Sequence, residues 1–213
     1  MEIKILHLYS DFLNLYGEYG NIRLLTKALE DKGHSVNLEK KTISDSSLDF
    51  TEYDFIYCGA GTESKRNFAL NHLEEFKESL KEAFEQSKVM LFTGNSWEML
   101  GKSIETADGK ILEGLKLFDF TVKEQNKRRL TGDIKAKAEF IETELIGFIN
   151  KCSSVENVAS PLFTLTMKPE SFSFETEGIH EKNLFGTHVV GPVLVKNPAF
   201  CEYIAELIIN NKK

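Results

Sequence analysis

The 213-residue sequence is poor in cysteine, short of basic charge and without any long apolar run, and each shortage removes a class of function. Its three cysteines, Cys58, Cys152 and Cys201, are scattered, odd in number and nowhere spaced as C-x-x-C. Neither a disulfide frame nor a zinc site is expected. Lysine and arginine number 26 against 33 aspartates and glutamates, a formal net charge of −7. Nucleic acid and anionic membrane surfaces both demand concentrated positive charge. The one basic cluster, Lys127-Arg128-Arg129, is too short to supply it. No stretch approaches the roughly 18 apolar residues of a membrane span. The first residues lack the apolar segment of about 7–15 residues that marks a secretory signal. His7, His34, His72 and His180 have no metal-ligand spacing to one another. The expectation is a cytoplasmic protein with no cofactor or metal, no membrane insertion and no nucleic-acid partner.

What is present is an ordinary globular composition, 41% hydrophobic and 28% charged, enough for one domain over residues 1–213. Residues 89–92 are four apolar residues in a row, the pattern of a strand buried on both faces of a parallel sheet. Thr93-Gly94-Asn95-Ser96 then breaks the run with small turn-forming residues, and Trp97 and Leu100 begin a helix. Strand, tight turn and helix make the geometry of a nucleophile elbow. At its tip stands Gly94, which has no side chain.

Upstream, strands are predicted over residues 3–9, 35–42 and 53–58. One helix carries Ile22, Leu25 and Leu29 on a face and closes at Gly33; a second runs over 63–86. Alternation of this kind predicts an α/β fold, a mostly parallel doubly wound sheet flanked by helices. After Gly101 the texture becomes β-rich. Asp108-Gly109 marks a turn between Ile104 and Ile111, and strands are predicted over 115–122, 130–137, 172–175 and 188–195. A last helix is predicted with Asn197 as N-cap and Pro198 at its first position, presenting Phe200, Ile204 and Ile208 on one face.

Ligands of open α/β sheets bind at the C-terminal strand edge, which here collects the loops 10–20, 59–63 and 94–96. Gly59-Ala60-Gly61 offers either backbone N–H donors for an anion or oxyanion, or a plain turn. His188 is either a general base or a structural histidine, and Cys58 either a reactive thiol or a buried inert one. Ser96 is a possible nucleophile in the chemical sense, and equally a helix cap.

With these residues in view, the chain resembles the cobyric-acid-synthase type of class I glutamine amidotransferases, and within it the glutaminase subunits of lipid II isoglutaminyl synthase. The resemblance runs through Ser10-Asp-Phe-Leu-Asn-Leu-Tyr16, Gly20-Asn-Ile22, Cys58-Gly-Ala-Gly61, Leu112-Glu-Gly-Leu115 and Leu117-Phe-Asp119. It continues through Arg129-Leu-Thr-Gly-Asp133, Gly147-Phe148, Gly186-Thr187, Gly191-Pro192 and Lys196-Asn197. It implies a fold of flavodoxin-like type, hydrolysis of glutamine, and transfer of ammonia to a Mur-ligase-like partner that amidates a peptidoglycan precursor. The family elbow reads Cys-Gly-Gly-Tyr-Gln; here Gly94-Asn95-Ser96-Trp97-Glu98 occupies those places. The family's catalytic histidine precedes the Gly-Pro pair, where this chain has Val190, with His188 two residues early. Lys151 stands near the place of a further family histidine, while Arg129 keeps that of the substrate-contacting arginine. The resemblance therefore implies a degenerate glutaminase whose old pocket could hold a small molecule through Arg129, Gly59, Ala60, Gly61 and Asn95. The alternative is an enzyme rewired onto Ser96 or Cys58 with His188.

Overall fold

The computed structural model describes residues 1–126 and 129–212. Two of the three residues in the basic cluster, Lys127 and Arg128, lie outside them. The first half runs β1 (Glu2–Leu8), α1 (Tyr19–Asp31), β2 (Ser35–Lys41), β3 (Phe55–Cys58), α2 (Glu63–Leu73), α3 (Lys77–Glu85) and β4 (Val89–Thr93), then a 3-10 segment at Gly94–Leu100. The second half adds β5 (Ser103–Glu105), β6 (Ile111–Glu113), β7 (Thr121–Glu124), β8 (Leu130–Ala138), β9 (Ile141–Lys151), β10 (Ser153–Glu156) and β11 (Phe163–Met167). It ends with β12 (Thr176–Glu177), β13 (Ile179–Glu181), β14 (Leu184–Thr187), β15 (Val189–Val190), α4 (Val193–Lys196) and α5 (Pro198–Asn211).

The main sheet has the order β13-β14-β4-β3-β1-β2 and is parallel except for its β13 edge. Side chains alternate across it, as the strand period requires. Phe55, Tyr57, Val89 and Leu91 join one core with Ile22 and Leu25 of α1 and Phe200 and Ile204 of α5. Ile56, Cys58, Met90 and Phe92 join the other with Leu70 of α2 and Phe84 of α3. Both faces being covered, the strands read as continuous apolar runs, and β3 and β4 are buried throughout. The β-rich second half forms two smaller sheets, β10-β7-β5-β6 and β12-β11-β8-β9-β15, one feeding each core.

Several predicted elements are corrected. The helix over 63–86 is broken by a 3-10 turn at Glu74–Phe76, where Phe76 packs on His72 and Ser79 beyond it caps the Phe50 N–H. The strand over 115–122 begins only at Thr121, because the backbone N–H groups of residues 115–118 donate to carbonyls of Met99, Leu100 and Gly101 instead of a ladder. Residues 172–175 form no strand: Phe172 and Phe174 stack, and Lys168 Nζ takes both their carbonyls. The strand over 188–195 shrinks to Val189–Val190 before α4.

Asn197 precedes α5 without capping it. Its Oδ1 accepts the Ile146 N–H (2.8 Å) while its Nδ2 donates to the carbonyls of Ile146 (2.9 Å) and Val193 (2.8 Å). This side chain thus joins β9 to α4. Asn197→Ala removes the side-chain partner of the part-buried Ile146 N–H and carbonyl, and is expected to cost about 1–3 kcal/mol. Denaturant titration checks it, with the midpoint falling at unchanged slope.

Candidate functional site

The candidate site is the elbow where β4 ends. Gly94 has φ +62° and is buried, in the left-handed region where a Cβ is strained. β3 is paired to β4 with Cys58 opposite Phe92, so the turn after β3 lies against the elbow. A Cβ built on Gly94 would come within 3.0 Å of the Ala60 methyl carbon, closer than real Cβ atoms approach. The same Cβ would lie 3.2 Å from Val190 Cγ1. Residues 94 and 190, paired by sequence reasoning, are therefore neighbours in space. Around them is a cavity lined by Tyr16, Ala60, Gly94, Asn95, Arg129 and His188, among others, of about 10 Å³. That is room for no more than about one water. The small-molecule ligand expected in this old pocket has no space in this arrangement.

The loop donors that could have served an oxyanion are engaged by side chains. The Ala60 N–H donates to Glu18 Oε2, and the Gly61 N–H to Asn95 Oδ1 at 3.1 Å. Gly59 is required by close approach, since a Cβ there would meet the Leu13 carbonyl and Glu18. Glu18 is fully buried; its Oε1 accepts from Thr93 Oγ1 at 2.9 Å, Thr93 Oγ1 lies 2.8 Å from the Tyr57 hydroxyl, and Asn21 Nδ2 donates to that hydroxyl at 2.8 Å. Burial pushes the Glu18 carboxyl up to about 7, against the bonds from Ala60 and Thr93 that favour its charged form. Arg129 is likewise committed: Nη1 pairs with Glu63 at 2.7 Å, Nε with Asn150 Oδ1 at 2.6 Å.

Beneath the elbow is a buried ionic cluster. Arg66, wholly buried on α2, pairs with Glu98 of the elbow and with Glu124 of β7. Glu98 also accepts from Ser153 Oγ and lies 3.0 Å from His188 Nε2. The other ring nitrogen of His188 is 3.1 Å from Glu177, which also accepts the His188 N–H (2.6 Å) and Thr187 Oγ1 (2.6 Å). Burial alone would raise the Glu98 carboxyl, but Arg66 and then His188 outweigh it and hold it down to about 2. Glu177 is held below its ordinary value in the same way, His188 and Thr187 overcoming burial.

His188 is thus enclosed by two carboxylates and the Trp97 ring, 4.8 Å away. Neither proposed alternative nucleophile is its partner. Ser96 Oγ is buried and donates to the carbonyls of Thr93 (2.8 Å) and Cys58 (3.0 Å), so it neither caps a helix nor meets His188. Burial raises the Cys58 thiol far above its ordinary range, the opposite of what a reactive thiolate needs. Sequence reasoning passed over Glu18, Arg66, Glu98 and Glu177. Arg66 sits in a helix with little amphipathic signal, so nothing in the local pattern separates it from solvated charge. Glu98 alone had a signal, as the carboxylate in a run of buried elbow residues.

Residues 4–198 match the CobB/CobQ-like glutamine amidotransferase domain. Over 212 residues the chain is 34% identical to the lipid II isoglutaminyl synthase (glutamine-hydrolyzing) subunit GatD of Staphylococcus aureus (strain N315), covering 99% of this chain and 86% of that one. It is 29% identical over 199 residues to the subunit of the same name from Streptococcus pneumoniae (strain ATCC BAA-255 / R6), covering 92% and 76%. Among solved structures, PurLQS from Thermotoga maritima has a similar fold across 100% of both chains, with a TM-score of 0.65 at 13% identity. Among the described residues, no helix is long and apolar enough to cross a membrane.

The Glu18 environment yields a pH prediction. Its folded value, about 7, is above the ordinary 4.5, so the folded state holds this proton more tightly than the unfolded chain. The contribution is complete below about pH 4.5 and lost as pH rises through about 7, roughly 3 kcal/mol in all. Glu18→Gln is expected to remove that slope. Unfolding free energies of both proteins between pH 4.5 and 8 measure the difference, and parallel curves contradict it.

Proposed function

The chain belongs to the CobB/CobQ-like glutamine amidotransferase family, and from that premise we propose that it is a catalytically silent glutaminase homologue, a binding or regulatory subunit of a Mur-ligase-like amidating synthetase. The observation that carries this reading is the Ala60 methyl, which fills the space where any side chain on Gly94 would begin. Glutamine hydrolysis of the family type needs a thiolate at the elbow, a base beside it and free donors for the tetrahedral oxyanion. Here the thiol is absent, Val190 holds the base's place, and the loop N–H groups bond to Glu18 and Asn95. Glu98, buried and ionised by Arg66, lines the same cavity and would oppose a neighbouring thiolate.

A retained binding role is supported by the surface around this edge. Leu15, Tyr19, Ile146 and Val195 are each about half exposed, on elements that meet there: the loop into α1, α1 itself, β9 and α4. Both GatD relatives are subunits of a synthase, which makes an amidating synthetase the partner class to test first.

The direct assay is glutamate release from glutamine by the purified chain, alone and with any Mur-ligase-like protein that co-purifies with it. No release above a protein-free blank is expected in either case. Sustained turnover that disappears on Ser96→Ala or Cys58→Ala would overturn the proposal in favour of a rewired enzyme.

A further inference from the structure

Behind His188, on the side away from Gly94, lies a second and much larger cavity of about 330 Å³. It shares Lys151, Ser153 and His188 with the closed elbow cavity, but opens between β9, β10 and the 173–178 segment. Its size suits a small organic molecule. Three features of its wall bear on what it could hold.

The first is Lys151 at the end of β9, buried to 8% exposure. Its ammonium sits 4.2 Å over the Phe174 ring and donates no hydrogen bond among the described residues. Burial lowers the ammonium's pKa, against the nearby Glu177 and Glu98 carboxylates that favour its charge, and its three donors have no hydrogen-bond acceptor among the described residues. The second is Trp97, 1% exposed, whose indole Nε1–H has no acceptor among the described residues. With less than 1 Å² of that nitrogen accessible, the indole lines the cavity without offering its N–H to a ligand. The third is the state of the acidic wall. Glu177 lines the cavity, but its oxygens already accept Thr187 Oγ1, the His188 N–H and the His188 ring. The cavity therefore presents the free donors of Lys151 across from a carboxylate whose hydrogen bonds are filled but whose charge remains, with Leu130, Val155 and Val158 as an apolar wall.

We propose that this cavity is a binding site for a small organic carboxylate of amino-acid size, its carboxylate held by Lys151 Nζ and its carbon body against the Val155–Val158 wall. The site is separate from the closed elbow and does not depend on whether the chain hydrolyses glutamine. Nor does it resemble the old pocket in chemistry, since Arg129 takes no part in it.

The chain's single tryptophan is Trp97, so its emission reads this cavity directly. Titration with succinate and L-glutamate up to about 10 mM is expected to give a saturable change in emission, a millimolar or tighter affinity. Lys151→Met should weaken it at least tenfold. Val158→Phe, which fills the wall without touching the cation, should abolish it and guards against a misfolded lysine variant. Inorganic phosphate provides the remaining arm. Binding of phosphate but of neither carboxylate would overturn the organic-ligand assignment. No saturable change with any of the three, or an unchanged affinity in Lys151→Met, would overturn the site.

Discussion

One close contact closes the elbow, between the Ala60 methyl and the bare backbone of Gly94. Because β3 and β4 are adjacent parallel strands in fixed register, their C-terminal turns must meet, and the volume at that meeting is small. A side chain at the elbow requires glycine in the facing turn; a methyl in the facing turn requires glycine at the elbow. This chain has taken the second solution. The left-handed backbone of the elbow survives at Gly94, and Asn95 and Glu18 complete the closure by occupying loop donors.

The buried charge cluster beneath that contact ties the halves of the protein together. Arg66 comes from α2, Glu98 from the elbow, Glu124 from β7, Ser153 from β10 and Glu177 from β12. Desolvating these charges makes such a cluster weak evidence for net stability, yet removing one member typically costs 3–5 kcal/mol because the others are left unpaired. Its consequence is local: His188 is held at both ring nitrogens, on the wall that it shares with the large cavity. An elbow closed in front and a donor-lined cavity behind are two results of the same packing.

Much of this was legible in the sequence where local pattern and tertiary environment agree. The apolar runs of β3 and β4 announced a sheet covered on both faces, and the residues after β4 announced an elbow without a nucleophile. The proximity of Gly94 and Val190, nearly a hundred positions apart, followed from family resemblance and not from any periodicity. Strand β9 was missed because its charged residues interrupt the alternation, and β14 because its four buried residues are too few to stand out. The ionic cluster was illegible for a plainer reason. A charged residue on a helix looks solvated until the fold brings its partners, and Arg66 meets Glu98 and Glu124 only across 32 and 58 residues of chain.

The most direct measurement of the central claim is covalent labelling of residue 94 by a glutamine-analogue electrophile in a stepwise repair series. Gly94→Cys with Val190→His supplies both missing groups but leaves the Ala60 methyl in their way. Adding Ala60→Gly removes it. Closure by Ala60 predicts little labelling in the double variant and at least tenfold faster labelling in the triple variant, with both proteins folded. Equal labelling of the two would contradict it.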